Sequence, residues 1–264
     1  PAMQACYAQA RKNPRNNGWL ARGDWEWDHR LGFAAGDQAP NKSVKEAVVF
    51  QIDGVVEGYL VYTLTWEQSG TKVTILEWVW NRDRAWRGLA GFLAALGEQA
   101  IVITYNAAQG DPLLSAQPQP YTKSDGAVEF VFHQTARLLT GYMLRVVHLP
   151  EALRRRRYPA HVQADLLLQI EDHQLPSNSE AIAVRIRNGI AEIDETISTS
   201  QLTTDNWPLT IKTDIATFSE LYVGFYSAEH ARTLGRLDGS DAACAALTAV
   251  FSATPLHMWQ ADWF

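Results

Sequence analysis

The apolar positions of this chain change their spacing twice within the first hundred residues. Between residues 3 and 12 they recur every three or four positions, which predicts a helix. Three later segments, 47–52, 59–66 and 72–80, are instead rich in β-branched and aromatic residues and are separated by turn residues. We therefore predict an antiparallel meander of three strands after a helical start.

The clearest helix follows this meander. Residues 83–99 carry an apolar stripe that includes Leu89, Leu93 and Leu96. The dipeptide Asn188-Gly189 is a strong hairpin signal in the second half. Further strands are predicted at 100–106, 128–132, 142–147, 161–172, 180–188, 190–197 and 208–212, and further helices near Asp24 and at 150–157, 215–222, 227–234 and 241–251.

This order predicts an α+β fold with mostly antiparallel pairing in both halves. A domain boundary is expected near Tyr158-Pro159, which gives one domain at 1–158 and a second at 159–264. The chain begins with Pro1 and has no initiator Met at its head, so we expect a processed protein or a piece of a longer one.

Composition narrows the classes of partner. The formal net charge of −6 argues against nucleic acid and anionic membrane surfaces, which need concentrated Lys and Arg, and is compatible with a cationic substrate. The one basic run, Arg154 to Arg157, is interpreted as a solvated helix face, with an anion site as the alternative. Two cysteines, no signal peptide and no long apolar run predict a cytoplasmic protein without a membrane span.

Few residues in the sequence have the spacing of a catalytic or metal-binding motif. The seven His residues show no metal-ligand spacing, so no metal site is predicted. The strand, turn and helix between Thr74 and Leu93 resemble the junction at which GNAT acetyltransferases cradle the pyrophosphate of acetyl-CoA. The GNAT loop reads Arg/Gln-x-x-Gly-x-Gly/Ala, whereas residues 85–90 begin with Ala85 and Trp86. Asp83 is expected to cap this helix and to repel phosphate, so we expect a GNAT-shaped domain without cofactor binding. The alternative is that Gly88 and Gly91 only allow close packing of the helix on the sheet.

A series of short motifs resembles the Eis (enhanced intracellular survival) family of N-acetyltransferases, in which two GNAT domains precede a sterol-carrier-like domain. The resemblance covers almost the whole chain and lies in the order of the motifs. They are Tyr7, Pro14, Gly18, Arg22, Trp25 and Trp27, then Gly58-Tyr59-Leu60-Val61-Tyr62, Glu77, Ala85–Leu89, Asp111-Pro112-Leu113, Leu144–Leu153, Arg157-Tyr158, Leu209–Ile215, Leu221-Tyr222, Gly224, Leu234-Gly235 and the final Phe264.

The resemblance implies a second GNAT-like domain at 1–158 and a sterol-carrier-like α/β sandwich with a C-terminal tail at 159–264. It also implies that acetyl-CoA is bound by a first GNAT domain absent from this chain, so that the chain alone is inactive. The acceptor would be a cationic amine of the aminoglycoside, polyamine or lysine type. A homo-oligomer is the expected assembly.

The same resemblance gives candidate site residues. The free carboxylate of Phe264 would hold the amine and help to remove its proton. Trp25, Trp27 and Tyr158 would line the substrate cleft. The family often has an acidic penultimate residue; here that position is Trp263, with Asp262 one step earlier, and both are expected to contribute to substrate binding.

Two functions outside catalysis stay open. The second domain would serve as a binding module if it enclosed an open apolar tunnel of several hundred Å³. A structural oligomerisation unit is the other possibility.

Overall fold

A computed structural model describes residues 1–31, 43–108, 111–116, 143–193, 207, 209–254 and 256–262. Their contacts form two compact units, one within Pro1–Thr140 together with Leu256–Phe264 and one within Gly141–Pro255. The helix at Leu149–Arg155 packs on the core of the second unit. The predicted domain boundary near Tyr158 lies after this helix and stays a prediction.

The first unit combines helices with one four-stranded sheet. Its strands are ordered β1-β2-β3-β4, antiparallel except for the parallel pair β3 and β4. The elements are α1 (Ala2–Ala10), α2 (Asp24–His29), β1 (Ser43–Ile52), β2 (Val55–Glu67), β3 (Gly70–Trp80), α3 (Asp83–Ala95), β4 (Ala100–Tyr105) and α4 (Pro112–Ser115), with short 3-10 turns at Pro14–Asn16, Leu96–Glu98 and Gln260–Asp262.

The predicted meander is confirmed. Asp53 and Gly54 connect β1 to β2 with φ values of 49° and 79°, the two positive angles that a tight hairpin turn requires. Strand β3 pairs with β4 only over Thr71–Ile75 and then continues to Trp80. The second half of β3 therefore offers a row of side chains beyond the end of the pairing with β4.

Helix α3 lies close against the sheet because small residues face it. Ala85 is fully buried, and a Cβ added to Gly58 would stand 3.0 Å from the Ala85 Cβ. A Cβ on Gly88 would stand 2.3 Å from the ring of Phe50, so this position has room for glycine only. Gly91 has open space around it. The packing interpretation of the glycines therefore holds for Gly88 and is wrong for Gly91.

The second unit packs helices against a five-stranded sheet ordered β7-β6-β5-β8-β9, with β5 and β8 parallel. The Asn188-Gly189 hairpin is confirmed, with φ values of 50° and 80°. The α+β class with mostly antiparallel sheets is thus confirmed in both units. The elements are α5 (Leu149–Arg155), β5 (Ala164–Glu171), β6 (Ile182–Arg187), β7 (Ile190–Ile193), β8 (Thr210–Asp214), α6 (Ile215–Tyr222), α7 (Ala228–Thr233), β9 (Leu237–Gly239) and α8 (Asp241–Val250), with a 3-10 turn at Pro176–Asn178.

One predicted strand is wrong where it can be described. Residues 143–147 form no ladder; instead the Val146 N–H donates to Ser219 Oγ at 3.0 Å, so its hydrogen bond goes to a helix side chain. The predicted strand at 128–132 lies outside the described residues.

The basic run contains one partly buried member. Arg154, Arg155 and Arg157 are exposed, as the sequence predicts, but Arg156 turns inward and its Nη atoms donate to the carbonyl oxygens of Tyr222 and Phe251. These carbonyls end α6 and α8, so two negative helix termini face the guanidinium in place of a carboxylate.

Aromatic rings complete this site. The Arg156 guanidinium lies 5.0 Å from the ring centre of Tyr222, 5.3 Å from Phe251 and 5.8 Å from Tyr158. Burial lowers the pKa of Arg156, against the opposite effect of the two tyrosines. Arg156 therefore joins the C-terminal ends of two helices and the segment after α5.

We expect Arg156→Met to reduce the free energy of unfolding by about 2 to 3 kcal/mol, because two buried helix-terminal carbonyls lose their donors. Chemical denaturation measures the change. The matched control is Arg155→Met, since Arg155 is 80% exposed and, among the described residues, pairs with Glu151 on its own helix. Equal stability of the two variants would contradict the role given to Arg156.

Candidate functional site

A buried cluster of charged side chains occupies the centre of the first unit. Arg22, in the segment before α2, donates from Nε to Asp262 Oδ1 at 2.8 Å and from Nη2 to Asp262 Oδ2 at 2.7 Å. On its other side it donates from Nη1 to Glu77 Oε1 at 3.0 Å and also contacts Glu77 Oε2. The three side chains are at most 1% exposed. One guanidinium therefore joins β3 to the C-terminal segment.

Aromatic groups surround this ion cluster. The Arg22 guanidinium lies 4.2 Å from the ring centre of Tyr7 and 5.1 Å from that of Trp27. The Tyr59 hydroxyl donates to Glu77 Oε1. Among the described residues, the partners of the Arg22 side chain are two carboxylates and two aromatic rings, an environment that stabilises a buried guanidinium.

The pKa values show the balance between burial and charge. Burial opposes the charge of Arg22, but Glu77 and the hydrogen bonds to both carboxylates raise the pKa of its guanidinium above the ordinary value. Burial raises the pKa of the Glu77 carboxyl, against the opposite effect of Arg22 and the Tyr59 hydroxyl. Arg22 remains the fixed positive charge of the cluster.

The C-terminal segment, residues 256–262, lies beside β3 and the end of β4 within this unit. Its Trp259 ring packs against Trp19 at 5.1 Å and stacks on Tyr105, the last residue of β4, at 6.2 Å. Asn106 Nδ2 donates to Gln260 Oε1 at 3.2 Å. The segment is therefore held by ring packing and polar contacts before it reaches Asp262.

Two backbone contacts extend this attachment. The His257 N–H donates to the Asn17 carbonyl at 3.1 Å, near the beginning of the segment. At its other end, Arg30 Nη1 donates to the Asp262 carbonyl at 2.6 Å. Both the side chain and the backbone of Asp262 are thus fixed.

The predicted tryptophans have different surroundings. Trp27 is partly buried and meets the Tyr7 ring edge-on at 5.5 Å, so it belongs to the wall of the ion cluster. Trp25 is 58% exposed and stacks on His29 at 4.8 Å. Of the two, Trp25 is the ring with a face open to a ligand.

The remaining predicted residues do not gather at one place. Asp262 is buried with both carboxylate oxygens bonded to Arg22. Tyr158 is buried in the second unit, where its hydroxyl donates to the Leu153 carbonyl at 2.8 Å. Trp263 and Phe264 lie outside the described residues.

At the start of α3, several groups that could lie near a phosphate are hydrogen-bonded, stacked or negatively charged. The N–H groups of Ala85 and Trp86 both donate to the Arg82 carbonyl, at 2.9 and 3.3 Å. The Trp86 ring stacks on Trp78, with centres 5.7 Å apart. Asp83 occupies the first turn without capping the helix through its side chain, so the predicted cap is wrong although the negative charge is there. The bonded Ala85 N–H, the stacked Trp86 ring and the charge of Asp83 are therefore unfavourable to a phosphate group at this helix start.

A groove of about 320 Å³ lies beside this helix start. Its lining includes the cations Lys12 and Arg82 together with the neutral Asn13 and Asn81. Cations favour phosphate, but here they stand next to Asp83 and to N–H groups already in use. Phosphate binding in this groove can be measured directly.

Among the residues that the structure describes, no group of three or more His, Cys, Asp or Glu side chains is arranged to hold a metal ion. In the same residues no helix has both the length and the apolar character needed to cross a membrane.

Comparison with known families identifies both parts of the chain. Residues 18–146 match the family model described as an acetyltransferase (GNAT) domain, and residues 149–259 match the one described as a sterol carrier protein domain. The chain therefore contains a GNAT domain followed by a sterol carrier protein domain. No curated protein sequence matches it.

Solved structures share the fold. A GCN5-related N-acetyltransferase from Anabaena variabilis has a TM-score of 0.78 at 21% identity, over 100% of this chain and 60% of its own. A probable N-acyltransferase from Enterococcus faecalis has a TM-score of 0.75 at 21% identity, over 100% of this chain and 59% of its own. Eis1 from Mycobacterium abscessus has a TM-score of 0.65 at 20% identity, over 96% and 58%. The chain thus spans about three-fifths of the length of these structures.

The sequence contained a signal for the ion cluster. Arg22, Tyr59 and Glu77 lie within the motifs that resemble the Eis family, but the resemblance implies no site role for them. Glu77 lies between Leu76 and Trp78 in a strand whose neighbours are apolar. A lone carboxylate in such a strand requires a buried partner, and this requirement could have led to Arg22.

Acid should weaken the attachment of the C-terminal segment. Burial lowers the pKa of His257 from its ordinary value of 6.5 to about 4. Between these two pH values the unfolded chain binds a proton that the folded chain does not, so stability falls as the pH drops from about 6.5 towards 4. We expect His257→Gln to flatten the dependence of the melting temperature on pH in this window. An unchanged pH profile would contradict the assignment to His257.

Proposed function

We propose that this chain forms the substrate side of an acetyl-CoA-dependent N-acetyltransferase that acts on a cationic amine. Its GNAT domain and the N-acyltransferase structures of the same fold support acyl transfer. The observation that carries the proposal is the attachment of Asp262 to Arg22, which holds the end of the chain at a defined place.

The chemistry explains why a held carboxylate is useful. Acetyl transfer requires an amine without its proton, a polarised thioester carbonyl and a protonated leaving thiolate. The carboxylate of Phe264 would attract the ammonium form of the substrate and accept its proton, as an Asp or Glu side chain would. A terminal carboxyl has a low ordinary pKa, about 3.5, and is charged at neutral pH. This role requires Phe264 to carry a free carboxylate in the protein.

Chain geometry limits where that carboxylate acts. Two residues follow Asp262, and two extended residues span at most roughly 7 Å. Because the Asp262 carbonyl and side chain are both bonded within the first unit, a free carboxylate on Phe264 would lie within roughly 7 Å of the Asp262 carbonyl carbon. A freely moving tail would not have this limit.

The exposure of the side chains separates the proposed substrate contacts from the residues that support the tail. Trp25 presents an open ring, and an aromatic face attracts a cation by roughly 0.5 to 2 kcal/mol. We assign substrate contact to Trp25, Trp263 and Phe264. Trp27 and Asp262 are assigned to the support of the tail, since both contact Arg22. Tyr158 is left out because its hydroxyl is already used within the second unit.

We further propose that acetyl-CoA is held by another GNAT domain of the protein, which supplies the thioester. The start of α3 supports this, since Asp83 places a negative charge there and the Trp86 ring stacks on Trp78. The activity therefore joins a cofactor site outside this chain with a carboxylate from it.

The binding-module alternative has less support. The groove found in the second unit measures about 390 Å³ and is lined by Asp165, Arg185 and Arg187 as well as by Trp207 and Leu209. Two of these charges pair with each other, because Arg187 Nη2 donates to both Asp165 carboxylate oxygens at 2.8 Å. A charged groove of this kind is not the apolar tunnel that a lipid ligand requires.

Extension of the chain by one residue tests the carboxylate. A single Gly added after Phe264 moves the charge by about 3.5 Å and retains the aromatic side chain. In the acetyl-transferring protein we expect kcat for a polyamine or aminoglycoside to fall at least about 100-fold, the usual range for loss of a general base. The melting temperature should not change. Full turnover with the added Gly would remove the terminal carboxylate from the mechanism.

Calorimetric titration of this 264-residue chain with CoA tests the cofactor assignment. We expect no binding below about millimolar concentration, because Asp83 repels phosphate at this helix start and the Trp86 ring stacks on Trp78. Arg82→Ala is the companion variant. Micromolar binding that disappears in Arg82→Ala would place CoA at α3 and contradict the assignment.

A further inference from the structure

We propose that Arg22 is a positioning residue, which locks the C-terminal segment 256–262 to the GNAT domain and sets the direction in which the chain leaves Asp262. The lock itself follows from the contacts of the described residues. Its importance for acetyl transfer rests on the function proposed above.

The fork of the guanidinium makes Arg22 suited to this task. Nε and Nη2 bind the two oxygens of Asp262, and Nη1 points to Glu77. A carboxylate held by two parallel N–H groups is fixed in orientation as well as in distance. Lysine presents a single charged point and could not hold both carboxylates in this way.

Glu77 fixes Arg22 to the sheet. It lies on β3, which is paired with β2, and its carboxylate also accepts a hydrogen bond from Tyr59 of β2. Arg22 is thereby tied to the sheet before it meets the tail. A side chain fixed at one end to a strand can transmit that position to Asp262.

Stability alone does not explain the cluster. A buried ion pair rarely stabilises a fold more than apolar residues of similar volume, since removing the charges from water costs about as much as the attraction returns. Ring packing of Trp259 already holds the segment by apolar contact. The charges give segment 256–262 a single register and direction, because among the described residues both oxygens of the Asp262 carboxylate are bonded to Arg22.

Hydrogen exchange of this chain tests the lock. Asp262→Asn keeps the shape of the side chain and removes its charge, and it leaves Arg22 paired with Glu77. The matched control is Gln260→Ala, which removes the neutral contact to Asn106 in the same turn. Mass spectrometry of peptides that cover 256–264 should show exchange at least tenfold faster in Asp262→Asn than in the control. Peptides from β2 and β3 should exchange as in the unchanged protein, which shows that the fold is intact.

Arg22→Lys provides a second variant, in which the positive charge remains and the fork is lost. We expect faster tail exchange here as well. Tail exchange that matches the unchanged protein in both variants would overturn the lock.

Kinetics of the acetyl-transferring protein separate the lock from its function. If the terminal carboxylate acts on the amine, Asp262→Asn should lower kcat at least tenfold while KM for acetyl-CoA stays the same. Faster tail exchange with unchanged kcat would leave the lock in place and overturn the proposed role of Phe264. A fall in kcat without faster exchange would overturn the lock.

Discussion

The first unit depends on how one buried cation is neutralised. Arg22 stands between Glu77 of the sheet and Asp262 of the C-terminal segment, and loss of Arg22 would leave two buried carboxylates without their cation. The rings of Tyr7 and Trp27 close the cluster against water. Because these partners come from the beginning, the middle and the end of the chain, the unit is complete only when residues 256–262 have returned to it.

The second unit solves the same electrostatic problem in a different way. Arg156 finds no carboxylate among its partners in the described residues; it is compensated by the carbonyls that end α6 and α8 and by three aromatic rings. Helix termini carry only partial charges, so this arrangement suits a joint between helices. The full carboxylates around Arg22 suit a joint whose orientation must be fixed.

The features that could be predicted are those set by residues close together in the sequence. The meander and the Asn188-Gly189 turn followed from residue types within a few positions, and the α+β class followed from their order. The strand predicted at 142–147 was wrong over its described residues 143–147, where the Val146 N–H donates to the Ser219 side chain, a partner distant in the sequence. The ion cluster joins residues 22, 77 and 262, and pairings across such distances leave no periodic trace. The residues of the candidate site were therefore visible one by one, while their meeting was not.

The position of the tail changes what the GNAT domain is for in this chain. A GNAT fold ordinarily offers a helix start to a phosphate, but here the N–H groups of Ala85 and Trp86 are already bonded. The same sheet uses Glu77 of β3, through Arg22, to hold the C-terminal segment. A buried ion cluster rarely stabilises a fold more than apolar residues of similar volume, so its value in this domain lies in fixing the orientation of residues 256–262. Under the proposed function, the same contacts would hold the terminal carboxylate near the substrate amine, and they would do so whether or not this domain binds a cofactor.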